Sequence, residues 1–317
     1  MGGGVGLILS ASRRSDIPAF YTEWFFNRLN DGYVLVRNPM NYHQVSRVAL
    51  NPDVIDCIVF WTKDPTNMLN KLGLLKEYNY YFQVTINPYD SRIERNVVSK
   101  KNVIESFRKL STLIGKKRMI WRYDPIILTD KIDIEYHSKN FDILAGKLKN
   151  YTGRCIISFV DMYRKSERNM KNLNGVIINN EDMVEIGKRL SEIAIRYGLK
   201  MATCSELIDL SSMGIEHAKC IDDNLIADIL GENIIIQKDK NQRDVCGCVA
   251  SIDIGAYNTC KHGCLYCYAN DSDKAVNNNI MNHDPKSPML IGKVEPGDKV
   301  IDRKMESYRN GQLTFLK

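Results

Sequence analysis

Short, continuous runs of apolar residues recur along the chain, each bounded by polar or turn-forming residues. They are Val5–Ser10, Cys57–Trp61, Tyr80–Ile86, Arg118–Arg122, Cys155–Val160, Leu199–Thr203 and Val249–Ile254. Unbroken apolar runs of this kind are what parallel strands buried on both faces require. Between them lie longer stretches with helical spacing of apolar residues: Ala19–Leu29, Thr66–Leu75, Lys101–Ile114, Ile134–Leu148 and Asn180–Tyr197. Asn180-Glu-Asp-Met opens the last of these with a capping residue and an acidic first turn. Gly198 stops it at the C′ position. Strand–helix alternation repeated about seven times predicts an α/β fold, a parallel (β/α) barrel that is either complete or incomplete.

The barrel is expected over residues 1–270, with Val34-Leu-Val-Arg and Val45-Ser-Arg-Val marking an inserted β-hairpin near residues 31–50. Residues 271–317 are richer in Asn, Asp, Lys and Pro and read as a loose C-terminal tail or a small accessory segment.

Polar residues collect where the apolar runs end. The first run leads into Ser10-Ala-Ser-Arg-Arg-Ser-Asp16, the second into Trp61-Thr-Lys-Asp64, and the third into Asn87. The next three lead into Trp121-Arg-Tyr-Asp-Pro125, Asp161 and Thr203-Cys-Ser-Glu206. In a barrel these ends share the rim that carries active sites. Arg13, Asp16, Lys63, Arg122, Asp124 and Glu206 are therefore candidate catalytic residues. The plainer alternative is that such residues cap helices and solvate loops, as Asp64 and Ser15 do if they are N-caps. Trp61, Trp121 and Tyr123 either shape a pocket or belong to the core.

The 317 residues are 44% hydrophobic, enough for one large barrel or two modest domains. A net charge of +6 is compatible with nucleic acid or a phosphorylated metabolite, and equally with a solvated surface. No secretory leader is recognisable, and the opening Gly-Val-Gly-Leu-Ile-Leu-Ser reads as a strand. No apolar run approaches membrane-spanning length. A cytoplasmic protein without membrane contact is expected, and there clustered cysteines point to metal more often than to disulfides.

Five of the nine cysteines fall between Cys246 and Cys267. Cys260, Cys264 and Cys267 form C-x3-C-x2-C within Thr259-Cys-Lys-His-Gly-Cys-Leu-Tyr-Cys-Tyr-Ala-Asn270. Three thiolates so spaced hold three irons of a [4Fe–4S] cluster and leave the fourth open to a ligand. Gly263 permits the tight backbone wrapping this needs. The alternatives are half of a ferredoxin-like site, or zinc with His262 as fourth ligand. His262 itself reads as a solvated loop residue. Cys246-Gly-Cys248, with Cys204 and Cys220, forms a candidate second metal site for an auxiliary iron–sulfur cluster or zinc; the alternative is four buried, inert thiols. Cys57 and Cys155 sit inside apolar runs and belong to the core.

The three-cysteine spacing resembles that of radical S-adenosylmethionine (SAM) enzymes, in which the aromatic residue before the third cysteine, here Tyr266, lies near the adenine. Over nearly its whole length the chain resembles the domain of unknown function 1848 family. The residues concerned are Ser10-Ala-Ser-Arg-Arg-Ser-Asp-Ile-Pro-Ala-Phe-Tyr21, Val36-Arg-Asn-Pro39, Val59-Phe-Trp-Thr-Lys63, Trp121-Arg-Tyr-Asp-Pro125, and Cys246-Gly-Cys through Asn270. That family is noted for a C-terminal cysteine cluster similar to the N-terminal one of radical SAM enzymes. The resemblance implies a circularly permuted radical SAM barrel, with Val249–Ile254 beside Val5–Ser10. No Gly-Gly-Glu-like motif follows Cys267, so Ser12, Arg13, Arg122 and Glu206 are the candidates for holding the amino and carboxylate groups of SAM.

The implied activity is that of an iron–sulfur enzyme that takes an electron from a donor and reductively cleaves SAM. The resulting radical chemistry would act on a substrate at the barrel mouth. Arg13, Arg14, Lys63 and Arg122 suit an anionic substrate, such as nucleic acid or a phosphorylated metabolite. Gln312-Leu-Thr-Phe-Leu316 looks like the short peptides with which bacterial repair and replication proteins bind the sliding clamp. This points toward a DNA-lesion enzyme, broadly like spore photoproduct lyase. Two other readings stay open. One is a non-catalytic iron–sulfur or zinc protein acting as a sensor or clamp-tethered adaptor. The other is a hydrolase or isomerase using Asp16, Asp124, Asp161 and Glu206, with metal only as structure.

Overall fold

The computed structural model describes residues 7–160, 170, 175–176, 178–305 and 307–308. Its centre is a sheet of eight strands: β1 (Leu7–Ala11), β2 (Ile55–Thr62), β3 (Tyr80–Thr85), β4 (Met119–Ile126), β5 (Arg154–Phe159), β6 (Lys200–Thr203), β7 (Ile215–His217) and β8 (Ile252–Asp253). All neighbours run parallel, in the spatial order β7-β6-β5-β4-β3-β2-β1-β8. The last strand in sequence lies beside the first, with Leu9 opposite Ile252 and Ser10 opposite Asp253.

Among the described residues the sheet does not close into a barrel. Its edges, β7 and β8, are three and two residues long, too short for a continuous ladder, and they do not pair. The seam between them is bridged by the segments beside each strand. Val249 N donates to Ile221 O at 3.2 Å, and Ile221 N points at Cys248 Sγ at 3.4 Å.

Strand periodicity sorts the core into two faces. Leu7, Leu9, Ile58, Phe60, Phe82, Trp121 and Tyr123 pack outward with the helices, while Ile8, Cys57, Val59, Tyr81, Ile120 and Ile156 face inward against residues 220–249. Cys57 and Cys155 are fully buried in these layers. Trp121 stacks on Phe141 at 4.8 Å and, with Tyr123, belongs to the outer core rather than to a pocket.

The helices sit close to the positions that periodicity predicts. The 180–196 helix is capped one residue earlier than expected: Asn179 accepts from Asp182 N, and Asp182 reaches back to close a capping box. Gly198 follows with φ +66°. The 19–29 stretch divides into Ile17–Phe20 and Thr22–Asp31. The Thr66–Leu75 stretch is a run of 3-10 turns.

Tyr33–Asn38 and Asn41–Ala49 form an antiparallel hairpin, and Lys299–Asp302 adds to it as a third, parallel strand. Asp273–Met281 is helical, so much of the segment after residue 270 is ordered against the body. Residues 312–316 and Asp161 lie outside the described residues. No helix among the described residues is long and apolar enough to cross a membrane.

Candidate active site

A cavity of about 430 Å³ opens at the C-terminal ends of the strands. Residues 12–16 after β1, 61–63 at the end of β2, Arg122, Asp124 and Pro125 from β4 and residues 204–206 after β6 line it, together with the cysteine loop that follows β8. The candidate residues Ser12, Arg13, Asp16, Lys63, Arg122, Asp124, Glu206 and Tyr266 are all on its wall. So are Cys204, Cys220, Cys246, Cys248, Cys260, Cys264 and Cys267, none of them in a disulfide.

The 260–267 loop is held from behind by the segment after β3. Leu265 N donates to Ile93 O at 3.0 Å, Asn96 N to His262 O at 2.9 Å, and Asn96 Nδ2 to Lys261 O at 2.8 Å. At Gly263 the backbone turns with φ +62°, and a Cβ there would come within 3.1 Å of Asn96 Nδ2. Glycine is therefore required by conformation and made tight by packing. Asn270 Nδ2 closes the loop onto Cys260 O at 2.7 Å.

Glu94 is the buried anchor of this arrangement. Lys63 Nζ lies 2.7 Å from its Oε1, and Lys100 Nζ and Tyr266 Oη also hydrogen-bond to its carboxylate. Burial pushes the Glu94 carboxyl up, but Lys63 and Lys100 outweigh it and bring it down to about 2. Lys63 is thus spoken for by Glu94, and its ammonium also sits 5.5 Å from the Tyr266 ring.

A second acidic anchor, Asp253, fixes the loop after β1. It accepts from Ser10 Oγ at 2.9 Å, Ser12 Oγ at 2.6 Å, Arg13 N at 2.7 Å, Arg14 Nε at 3.1 Å and Gly255 N at 2.9 Å. Ser12 and Arg14 are therefore engaged inside the protein. A Cβ on Gly255 would fall 2.0 Å from Ser12 Oγ, so this approach needs glycine.

Asp16 is not a free acid. Its Oδ1 caps Ala19 N at 3.0 Å; its Oδ2 accepts from Lys63 N at 2.7 Å and from His262 Nε2 at 2.7 Å. This corrects the expectation for His262, which is 3% exposed and packs on Phe20 at 4.6 Å between ring centroids. The loop folds inward here because Asp16 offers His262 a buried acceptor.

Arg122 chelates Asp124 through Nε, at 2.8 Å, and Nη2, and gives Nη1 to Gln83 Oε1 at 2.9 Å and Cys220 Sγ at 3.0 Å. Burial raises the Asp124 carboxyl, but Arg122 and Ser158 reverse this and hold it below the usual carboxylate range. Glu206 Oε1 accepts from Phe159 N at 2.9 Å.

The Arg13 and Arg122 guanidiniums lie 5.5 and 5.3 Å from the Trp61 ring centroid, in cation–π range. Arg13 Nη2, Ser15 Oγ, Trp61 Nε1 and His262 Nδ1 are buried at the cavity without a hydrogen-bond partner. Leaving a buried donor unsatisfied costs about 1–3 kcal/mol, so such atoms mark where a polar ligand fits.

Burial pushes the Cys264 thiol up to about 12 against the pull of Lys63, and burial with Cys267 nearby pushes Cys260 well above the usual thiol range. Both are neutral thiols unless a bound metal displaces their protons, which are released to solvent. Among the described residues no three His, Cys, Asp or Glu side chains are placed to hold one metal ion. His262 donates Nε2–H to Asp16 and keeps Nδ1 without a partner, so its hydrogen bonding does not set the zinc alternative aside. A multi-iron cluster spaces its cysteine sulfurs more widely than a single ion does. Cys260, Cys264 and Cys267 are three thiols on one wrapped loop, none of them in a disulfide, which is the donor type an iron–sulfur cluster takes.

Glu94 and Asp253 escaped the sequence reasoning. Asp253 left a faint signal, an acid inside the otherwise apolar run Ser251-Ile-Asp-Ile254. Glu94 left none, because its role depends on lysines 31 residues before it and 6 after it. No curated protein and no solved structure matches the chain. The family model for the domain of unknown function DUF1848 matches residues 8–269, most of the chain, and the protein belongs to that family.

Proposed function

We propose that the protein is an iron–sulfur enzyme of the radical SAM type, with Cys260, Cys264 and Cys267 as the three protein ligands of a [4Fe–4S] cluster. The observation that carries this reading is the placement of these thiols on the wall of the cavity that also gathers the polar residues from the other strand ends. When bound, such a cluster supplies single electrons to a ligand at its open iron.

The chain's own residues position and shield. Glu94, through Tyr266 and Lys63, fixes the wall beside Cys264. Trp61, with the two guanidiniums against it, forms a flat surface suited to a conjugated ring. Arg13 Nη2, Ser15 Oγ and Trp61 Nε1 are unpartnered donors suited to an acidic group of the ligand or substrate. Arg14, Lys63 and Arg122 are already matched by Asp253, Glu94 and Asp124, so anion recognition falls chiefly to Arg13. The volume suits small molecules or one unstacked nucleotide rather than a duplex. An electron donor and a nucleic-acid or phosphorylated substrate are parts of the same proposal.

The test is SAM turnover. Reconstituted protein with dithionite is expected to release methionine from SAM, and the Cys260→Ala/Cys264→Ala/Cys267→Ala variant to release none. Iron-loaded protein that leaves SAM intact contradicts the proposal.

A further inference from the structure

The other four cysteines of the cavity sit where the sheet ends without closing. Cys220 follows edge strand β7, Cys246 and Cys248 precede edge strand β8, and Cys204 follows β6. Cys204 Sγ and Cys220 Sγ are 2.9 Å apart. Cys220 interacts with Cys248, and Cys248 with Cys246, in a chain of thiol contacts. Two polar hydrogens already point at this sulfur: Arg122 Nη1 at 3.0 Å from Cys220 Sγ, and Ile221 N at 3.4 Å from Cys248 Sγ. Arg13 adds a positive field to Cys248 and Cys220.

These observations select among chemistries. Inert core thiols need neither a guanidinium nor a backbone N–H aimed at them. As they stand, no three of these side chains surround one point among the described residues. What is present is a run of four thiols, Cys204–Cys220–Cys248–Cys246, whose two ends can each present a pair, Cys204 with Cys220 and Cys246 with Cys248. Two thiolates on one tetrahedral metal, with bonds near ~2.3 Å, sit about 3.8 Å apart, a small opening of the 2.9 Å contact. N–H groups directed at sulfur and nearby cations stabilise the anionic charge of a thiolate-ligated cluster.

We infer that Cys204, Cys220, Cys246 and Cys248 bind a second iron–sulfur cluster, of the two-iron type, each pair holding one iron. The four thiols lose their protons on ligation, and Arg122 and Arg13 offset the negative charge. The centre staples the seam between β7 and β8 and forms part of the same cavity as the 260–267 loop. It adds to the proposed function and stands independently of it.

The test uses the full chain carrying Cys260→Ala/Cys264→Ala/Cys267→Ala, reconstituted anaerobically with iron and sulfide. About two irons and two acid-labile sulfides per chain are expected, with a paramagnetic signal after one-electron reduction. Adding Cys246→Ser/Cys248→Ser is expected to remove both, with far-ultraviolet circular dichroism confirming a folded chain. Should that variant fail to fold, Cys204→Ser in the same background reads the site alone, by lost iron or an altered signal. A triple variant that is iron-free, or that holds only zinc, overturns the inference. A chain lacking the four seam cysteines but cleaving SAM isolates the loop site, so the two proposals fail separately.

Discussion

The loop cysteines and the seam cysteines face one cavity, yet they are assembled in opposite ways. Cys260, Cys264 and Cys267 lie within one short loop, and their relative placement follows from spacing and from Gly263. Their support is remote: Glu94, Asn96 and Asp16 hold the loop from other parts of the chain. Cys204, Cys220, Cys246 and Cys248 come from three segments that meet only because β6, β7 and β8 converge on the open seam. A local constellation tolerates error in the fold around it; a distributed one exists only if the fold is right. The loop site should therefore respond to its anchors in degrees, and the seam site should fail together with the sheet edges.

The largest effect should come from the loop ligands. Replacing Cys260, Cys264 and Cys267 by Ala is expected to abolish every SAM-dependent spectral change, while the melting temperature of the metal-free chain moves little. A residual SAM response would show that loop and seam are not separable.

Next is Glu94→Gln. It leaves Lys63, which is 14% exposed, without its charge partner beneath the loop. Breaking one side of a buried pair costs about 3–5 kcal/mol. Urea unfolding should report a loss of that order, and SAM-dependent signals should weaken rather than vanish. Unchanged stability would mean that the loop is held by its backbone bonds alone.

Acid provides a control at a buried group that belongs to neither set of cysteines. Burial pushes the His137 imidazole down to about 4, against the opposing hydrogen bond to Ile127 O. The unfolded chain takes up this proton near pH 6.5, the folded chain only near 4. Stability therefore falls as pH drops through that window, by about 3 kcal/mol in all, and this contribution is level above it. Glu94 acts lower: its stabilisation is present above about 4.5 and is lost as pH falls toward 2. Urea melts of metal-free protein at pH 7 and pH 4.5 should show the His137 loss, and His137→Phe should reduce it. A pH-independent melt contradicts the assignment.

The smallest effect is expected at Gly255→Ala. Its Cβ would displace Ser12 Oγ and loosen the Asp253 anchor, at a cost of about 1–3 kcal/mol. The seam cysteines should keep their iron while substrate-side binding by Arg13 weakens. Loss of seam iron would tie the two regions more closely than the contacts suggest.

The same contrast explains what could be read from the sequence. The strand runs and the helices were legible because apolar periodicity is local, whereas the place of Val249–Ile254 beside the first strand was implied by the family resemblance alone. Barrel closure was not legible, because it depends on two edge strands only three and two residues long. Strand β7 carried no signal beyond Gly214-Ile-Glu-His217. The rim residues were legible as positions after strands, but their pairings were not. Arg122 with Asp124, Lys63 with Glu94 and Asp16 with His262 are contacts of the folded state. These pairings are why most of the apparent free charge at the cavity is internally matched, and why His262 is buried although its loop reads as polar.

The central claim is that the loop cysteines hold a cluster with an open iron. Electron paramagnetic resonance of the anaerobically reconstituted, dithionite-reduced protein tests it most directly, with and without SAM. A [4Fe–4S] signal that shifts when SAM is added, and is absent from the Cys260/Cys264/Cys267→Ala variant, is the predicted result. A signal indifferent to SAM, or stoichiometric zinc with no iron, would contradict it.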